Sequence, residues 1–175
     1  MKRVYVEGVV LNILTNTPIV ILKSEDGKVL PIVIGIFEAQ SILIVLEKAN
    51  FPRPLTHDLI KNIINKLNCK LRCLEIHSLI DNVYYANLVV ETNEKIEKID
   101  CRPSDGIAIA LRFDVPILAS EDLLESPDII KYYDTDEYLK SNKFDKPIDK
   151  KEAEEFRKII ENISAKEFWK KLKEE

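Results

Sequence analysis

The sequence lacks the short motifs by which many enzymes are recognised. It contains no Walker phosphate loop, no GxGxxG fingerprint, no HExxH zinc motif, no CxxC pair and no GxSxG nucleophile elbow. Only 2 histidines and 3 cysteines occur among the 175 residues, so a closed zinc site built from them is not expected. Any catalytic chemistry has to come from a few side chains, without an organic cofactor.

The sequence also lacks an excess of positive charge. Lys and Arg total 26 against 30 Asp and Glu, which leaves a formal net charge of -4. A basic coat protein for nucleic acid is excluded, because the overall field of this chain repels a polyanion. A nucleic acid or a phosphorylated ligand would therefore require a local positive patch or a bound metal ion.

A secretory leader and a membrane span are not expected either. The first ten residues, MKRVYVEGVV, alternate in polarity instead of forming the apolar core of a signal peptide. The most apolar window, Val29–Leu46, carries Pro31 and Glu38, and a charge is costly in lipid. With an odd number of cysteines, the chain is predicted to be cytoplasmic and to bind no membrane. A single glutamine beside many Ile, Lys and Glu is typical of a thermophile.

The elements that are present predict an α+β fold. Alternating apolar residues predict strands, and the Asp26-Gly27 pair predicts a tight hairpin turn between two of them. The first of two predicted helices is apolar on nearly every side, so it is expected to be covered on both faces. The pattern predicts three strands, at 3–14, 19–23 and 29–35, followed by two helices, at 36–48 and 57–68.

The same order of elements recurs 67 positions later in the chain. The turn at 25–28 falls on 92–95, and a second strongly apolar helix is expected at 105–113. We interpret this as an internal duplication of β-β-β-α units, with repeats at about 3–68 and 70–125. Two such helices between sheets predict a three-layer β/α/β arrangement.

Beyond residue 128 the composition changes. Residues 1–128 form the predicted domain, and residues 129–175 form a predicted helical extension. In this extension Phe156, Ile159 and Ile160 lie on one face of an amphipathic helix. Such an arm is expected to pack on the domain or to join the subunits of a homo-oligomer.

Two segments share a pattern that gathers charged groups at helix starts. RPLTHD at 53–58 and RPSD at 102–105 each place a hydroxyl residue in position to cap a helix, with an aspartate in the first turn. Such a cap is worth about 1 kcal/mol, so stability alone can account for these residues. Two arginines beside two helix N-termini would equally form a site for a phosphate group.

His57 and Glu38 are further candidates. His57 stands at the start of its helix, where the helix dipole disfavours the imidazolium, and a neutral imidazole can act as a general base or bind a metal. Glu38 opens an apolar helix in which an unpaired carboxylate is costly, so it is expected to pair with Arg102 or Arg112. His77 and the cysteines are expected to be structural.

The residues around these positions resemble the bifunctional nuclease domain family. The matching segments are PIVIGIFEAQSI at 31–42, RPLTHDL at 53–59 and DCRPSDGIAIALRFDVPI at 100–117, within a resemblance over about 3–125. It implies a duplicated β-β-β-α fold with RNase and DNase activity. Gly106 stands where the family usually has alanine, which costs about 1 kcal/mol of helix propensity. The candidate site that the resemblance implies consists of Glu38, Arg53, His57, Asp58, Arg102, Ser104 and Asp105.

We therefore predict a nuclease that hydrolyses RNA and DNA with little sequence specificity. A divalent cation, Mg²⁺ or Mn²⁺, would be held by Glu38, Asp58 and Asp105, and would neutralise the phosphate and activate water. The predicted roles are catalysis by His57, Asp58, Glu38 and Asp105, and phosphate binding by Arg53, Arg102, Thr56 and Ser104.

A non-catalytic module is the alternative hypothesis. Paired helix N-termini would bind a phosphorylated small molecule or a partner protein equally well, because anion binding and phosphodiester cleavage need the same arginines. Both hypotheses depend on one expectation: the two helix starts converge, so that His57 and Asp105 lie close together.

Overall fold

The strands and helices follow one another along the chain in the predicted order. The computed structural model describes residues 1–12, 17–93 and 95–126. Its elements are the strands β1 (Lys2–Asn12), β2 (Thr17–Ser24) and β3 (Val29–Val33), the helices α1 (Ile36–Leu46) and α2 (Thr56–Lys66), the strands β4 (Lys70–Ile80), β5 (Val83–Glu91) and β6 (Ile96–Cys101), the helix α3 (Pro103–Phe113), the strand β7 (Ile117–Ala119) and the helix α4 (Glu121–Glu125).

The strands form one mixed sheet in the order β3-β2-β1-β7-β4-β5-β6. Two antiparallel meanders, β1–β3 and β4–β6, are joined by the short strand β7, which is antiparallel to β1 and parallel to β4. The prediction of an α+β fold is confirmed. The prediction of a three-layer β/α/β arrangement assumes two separate sheets. It is wrong, because β7 pairs with both meanders and makes their strands one sheet.

The order β-β-β-α occurs twice along the chain. The first set is β1, β2, β3 and α1, the second is β4, β5, β6 and α3, and α2 lies between the two sets in sequence. This order agrees with the predicted repeat of elements. An internal duplication of the sequence stays a prediction.

Helix α3 lies at the centre of the core. It contacts α1, α2, β4 and β5, and the side chains of Ile107 and Ala108 are fully buried. Gly106 permits this close packing, since a Cβ there would lie 2.4 Å from Leu74 Cδ1 and 3.1 Å from Cys101 Sγ. The glycine that lowers helix propensity therefore allows the helix to approach the sheet.

Helix α1 is covered on one side only. Among its residues Ala39 and Ile42 are buried, whereas Phe37 is 53% exposed. The prediction that α1 is covered on both faces is therefore wrong. α1 packs against α3 and β2, and among its apolar residues Phe37 and Leu46 stay exposed.

The predicted helical extension at 129–175, and with it the predicted oligomer contact, lies outside the described residues. Within the described part of the chain, every helix is too short or too polar to cross a bilayer.

Candidate active site

The two helices with Arg-Pro starts begin differently from the prediction. α2 begins at Thr56 with Leu55 as its N-cap, and α3 begins at Pro103 with Arg102 as its N-cap; in neither case does a side chain cap the helix. The prediction that Thr56 and Ser104 are N-caps is wrong. Proline suits the first helical position because its φ is already helical and it has no N–H to satisfy, so α3 starts one residue before Ser104.

Asp58 stabilises the start of α2. Its Oδ2 accepts a hydrogen bond from the Leu55 N–H at 2.9 Å, and its Oδ1 accepts one from Arg112 Nε at 2.7 Å. Partial burial acts to raise the pKa of Asp58, but the bonds from Leu55 and Arg112 outweigh it and hold the pKa below its usual 3.8. Asp58 is therefore ionised at neutral pH and paired with a cation.

Arg112 connects three helices. Its side chain is 4% exposed, and Nη1 donates to the carbonyls of Ser41 and Ala108, each at 2.9 Å, while Nε reaches Asp58. Nη2 is buried and has no hydrogen-bond partner among the described residues. Sequence reasoning missed this role, although an arginine in the otherwise apolar run DGIAIALRF has to find a carboxylate, and Asp58 was available.

The two helix starts converge, as predicted. His57 lies in the first turn of α2 and Asp105 in the first turn of α3, and His57 Nε2 is 3.2 Å from Asp105 Oδ1. His57 is only 8% exposed. In the neutral imidazole that donates from Nε2, the lone pair is on Nδ1, which is buried and without a partner in the described residues.

Arg102 extends this pair into a network. Its Nε donates to Asp105 Oδ2 at 2.7 Å, and its Nη2 lies 2.8 Å from Glu38 Oε1. The hydrogen bond to Asp105 is the main cause that raises the pKa of Arg102. The predicted pairing of Glu38 with an arginine is confirmed, and Arg102 is the partner. A Cβ at Gly35, the N-cap of α1, would lie 2.2 Å from Glu38 Oε2, so the glycine makes room for this carboxylate.

We call Glu38, Arg102, Asp105 and His57 the catalytic network, a name that refers to the roles predicted for these residues in catalysis and phosphate binding. It joins the first turns of α1, α2 and α3. With a neutral imidazole the network holds two carboxylates and one guanidinium, so it carries one net negative charge.

The three carboxylates predicted to bind a metal are each engaged with an arginine. Glu38 and Asp105 share Arg102, while Asp58 pairs with Arg112. Within residues 1–12, 17–93 and 95–126, no group of three or more His, Cys, Asp or Glu could hold a metal ion. The residues in this arrangement do not fit the predicted cation site, because guanidinium groups occupy the positions next to the carboxylates. Binding of Mg²⁺ or Mn²⁺ stays a prediction.

The remaining predicted phosphate ligands, Arg53, Thr56 and Ser104, form none of the side-chain bonds of this network. Arg53 is exposed and lines a cleft of about 740 Å³ together with Asp58 and Arg112. Thr56 is exposed at the start of α2, and Ser104 is buried in the first turn of α3.

Comparison with known proteins assigns a family to this chain. The model of the bifunctional nuclease domain family matches residues 20–131. An uncharacterized protein of Mycobacterium tuberculosis is 33% identical over 169 residues, which cover 96% of this chain and 98% of that relative. Bifunctional nuclease 1 of Arabidopsis thaliana is 30% identical over 114 residues, which cover 62% of this chain and 35% of that relative.

A third relative is Bifunctional nuclease 1 of Oryza sativa subsp. japonica, which is 28% identical over 151 residues, covering 78% of this chain and 46% of that relative. The chain thus spans less than half the length of these two plant relatives and nearly all of the mycobacterial one. The matched region of the family model contains every residue of the catalytic network. The chain belongs to the bifunctional nuclease domain family.

Proposed function

We propose that the chain is a nuclease, a phosphodiester hydrolase that acts on RNA and DNA with little sequence specificity. The observation that carries this proposal is the 3.2 Å contact between His57 Nε2 and Asp105 Oδ1, where two helix starts meet. The names of the plant relatives supply the reaction class. The three cysteines are free thiols, which supports a reducing, cytoplasmic location.

In this proposal His57 acts as the general base. Asp105 accepts the hydrogen bond from Nε2 and so favours the imidazole tautomer whose lone pair is on Nδ1. Nδ1 takes the proton from the water that attacks phosphorus, a role worth roughly 100- to 10,000-fold in rate. The bond from phosphorus to the leaving sugar oxygen breaks, and this oxygen takes up a proton from solvent or from the protonated His57. Because Nδ1 is shielded from solvent, the reaction requires the start of α2 to open slightly when substrate binds.

Arg102 stabilises the negative charge that develops on the phosphoryl oxygens. Its side chain is 66% exposed even though it bonds two carboxylates, so the remaining N–H donors are available to a phosphate group. The exposed Thr56 and the N–H groups at the start of α2 offer further donors to the substrate. Ser104 is buried and is given no role in binding.

A chelator experiment tests whether cleavage requires a divalent cation. Binding of Mg²⁺ or Mn²⁺ by Glu38, Asp58 and Asp105 would require the cation to displace Arg102 and Arg112 from these carboxylates. We therefore expect cleavage to continue in EDTA. Loss of cleavage on chelation, with recovery on adding Mg²⁺ or Mn²⁺, would show that these ion pairs rearrange.

The decisive test of the proposal compares the cleavage activity of variants at two histidines, His57 and His77. His57→Ala and Asp105→Asn should each lower the cleavage of single-stranded RNA and DNA by roughly 100-fold or more, because both changes remove the oriented base. His77→Ala is the matched control, since His77 is exposed on β4 and bonds only its neighbour Ser78 at 2.9 Å among the described residues. If His57→Ala cleaves as fast as the unmodified chain, the hydrolase proposal is wrong.

The alternative proposal is a module that binds a phosphorylated ligand or a partner protein without cleaving it. One observation favours it: each acid of the catalytic network already has a cationic partner, as in a purely structural ion network. Equilibrium binding across a salt series separates the two proposals. A nuclease that tracks a polymer shows a steep salt dependence with oligonucleotide, whereas a small-ligand site does not.

A further inference from the structure

A cleft at the start of α2 has the composition of a nucleotide site. It lies between the C-terminal half of α1, the loop at 47–55 and the first half of α2, and its volume is about 740 Å³. Asp58 belongs to the cleft and directly follows His57 in the chain. A ligand in this cleft would therefore lie beside the start of α2, where the proposed base is located.

The cleft carries positive charge on a negatively charged protein. Lys48, Arg53 and Arg112 line it, against the single acid Asp58, while the whole chain has a net charge of -4. Lys48 and Arg53 form no ion pair within the described part of the chain, so no described carboxylate neutralises their charges. This is the local positive patch that an anionic ligand requires on such a chain.

Arg112 adds a hydrogen-bond donor for which the described residues offer no acceptor. Three of its donor bonds go to Asp58, Ser41 and Ala108, but the buried Nη2 has no partner among the described residues. A buried N–H without a partner is costly. Nη2 is shielded from solvent, so a ligand oxygen removes this cost only when the side chains that cover Nη2 move as the cleft is occupied.

Phe51 supplies a flat apolar surface in the same cleft. It is 47% exposed, in a loop that it shares with Arg53. Nucleic-acid bases stack on exposed aromatic rings without strong sequence preference. Asn50 and Asn62 also line the cleft and offer amide groups that can bond the edge of a base.

We propose that this cleft binds one nucleotide unit, with its base on Phe51 and its phosphate at Arg53, Lys48 and Arg112. This inference rests on the proposed nuclease function and assigns the subsite that holds the substrate beside the catalytic network. It also accounts for the position of Arg53, which lies outside that network. Stacking and charge, which every nucleotide offers, would dominate recognition, in line with little sequence specificity.

Binding of adenosine 5′-monophosphate to the full chain, measured by calorimetry, tests the proposal. Adenosine and inorganic phosphate are expected to bind more weakly than the nucleotide, because each uses half of the cleft. Phe51→Ala should weaken nucleotide binding by roughly fivefold or more, and Arg53→Gln should weaken binding of both the nucleotide and phosphate. Both side chains are exposed, so both variants should fold.

Two variants elsewhere on the surface serve as matched controls. Ile96→Ala removes an exposed apolar side chain from β6, and Lys66→Gln removes an exposed charge at the end of α2. Both should bind the nucleotide as the unmodified chain does. A short single-stranded oligodeoxynucleotide should bind more tightly than the mononucleotide, and Arg53→Gln should reduce the slope of its salt dependence.

The outcomes separate this inference from the proposed function. If Phe51→Ala and Arg53→Gln bind the nucleotide as tightly as the controls, or if the nucleotide does not bind, the subsite is wrong, whatever His57→Ala does to cleavage. If both variants weaken binding while no cleavage is found in any chain, the subsite stands and the hydrolase proposal fails. Cleavage and nucleotide binding are measured separately, which keeps the two results independent.

Discussion

The starts of α2 and α3 carry the same Arg-Pro pattern, but the fold uses them differently. At α3, Arg102 is held between two carboxylates, and Pro103 and Ser104 are buried. At α2, Arg53 lies exposed in the loop that lines the cleft, and His57 is the one buried residue of the helix. One pattern therefore produces a closed start, whose arginine is paired with two carboxylates, and an open start, whose arginine forms no ion pair with any described residue.

The difference follows from how deeply each helix is buried. α3 contacts two helices and two strands, whereas α2 contacts α3 and β4. Polar groups in a buried helix have to be satisfied inside the protein. At a helix on the surface, water can satisfy them until a ligand replaces it. A ligand site is thus expected at the start of α2, the helix that packs against α3.

The largest effect on stability is expected at Arg112, the α3 residue that holds the α2 start. Arg112→Ala should lower the free energy of unfolding by about 3–5 kcal/mol, because it leaves Asp58 and two carbonyls without their buried partner. Urea denaturation measures this. Arg72→Ala, at an exposed arginine paired with Glu91, should cost less than about 1 kcal/mol. Equal effects of the two substitutions would mean that the α2 start is not held by α3.

A smaller and pH-dependent effect is expected at Asp58. Its pKa in the folded protein lies below the ordinary 3.8, so its stabilisation is complete above that value and is lost as the pH falls through the lower, folded pKa. Asp58→Asn should therefore be less stable at neutral pH, by about 2 kcal/mol, since Asp58 is partly exposed. The difference from the unmodified chain should shrink below pH 3.8.

Denaturation at neutral pH and across an acid series measures the effect of Asp58→Asn. Asp122→Asn, at an exposed carboxylate on α4, is the control and should show no such trend. A difference between Asp58→Asn and the unmodified chain that is constant with pH would contradict the ion pair with Arg112.

The smallest effects on stability are expected at Arg102 and Arg53, the arginines of the two Arg-Pro segments. Arg102→Ala removes two ion pairs of an exposed side chain and should lower the free energy of unfolding by about 0.5–1 kcal/mol. Arg53→Ala should leave stability unchanged, because Arg53 forms no ion pair with any described residue. Thermal denaturation of both variants measures the contrast. The distinction between a closed and an open start would be lost if Arg53→Ala were the more damaging change.

Sequence reasoning predicted the central contact and misjudged its surroundings. The pairing of His57 with Asp105 and of Glu38 with Arg102 could be expected, since buried charges and paired helix starts need partners. The predicted cap at Ser104 is wrong because Pro103 takes the first helical position of α3. The predicted cap at Thr56 is wrong because Thr56 is itself the first residue of α2. Arg112 was missed as the partner of Asp58, which lies 54 residues away in the chain.

The sequence by itself determined the turns, the order of strands and helices and the residue types at the two helix starts, because these depend on interactions between near neighbours in the chain. The tertiary structure alone decided that the strands form one sheet and that α2 rests on α3. It brings His57 within 3.2 Å of a side chain 48 residues away and leaves Arg53 facing a cleft. Such distances depend on which surfaces pack together, and a local pattern carries no information about that.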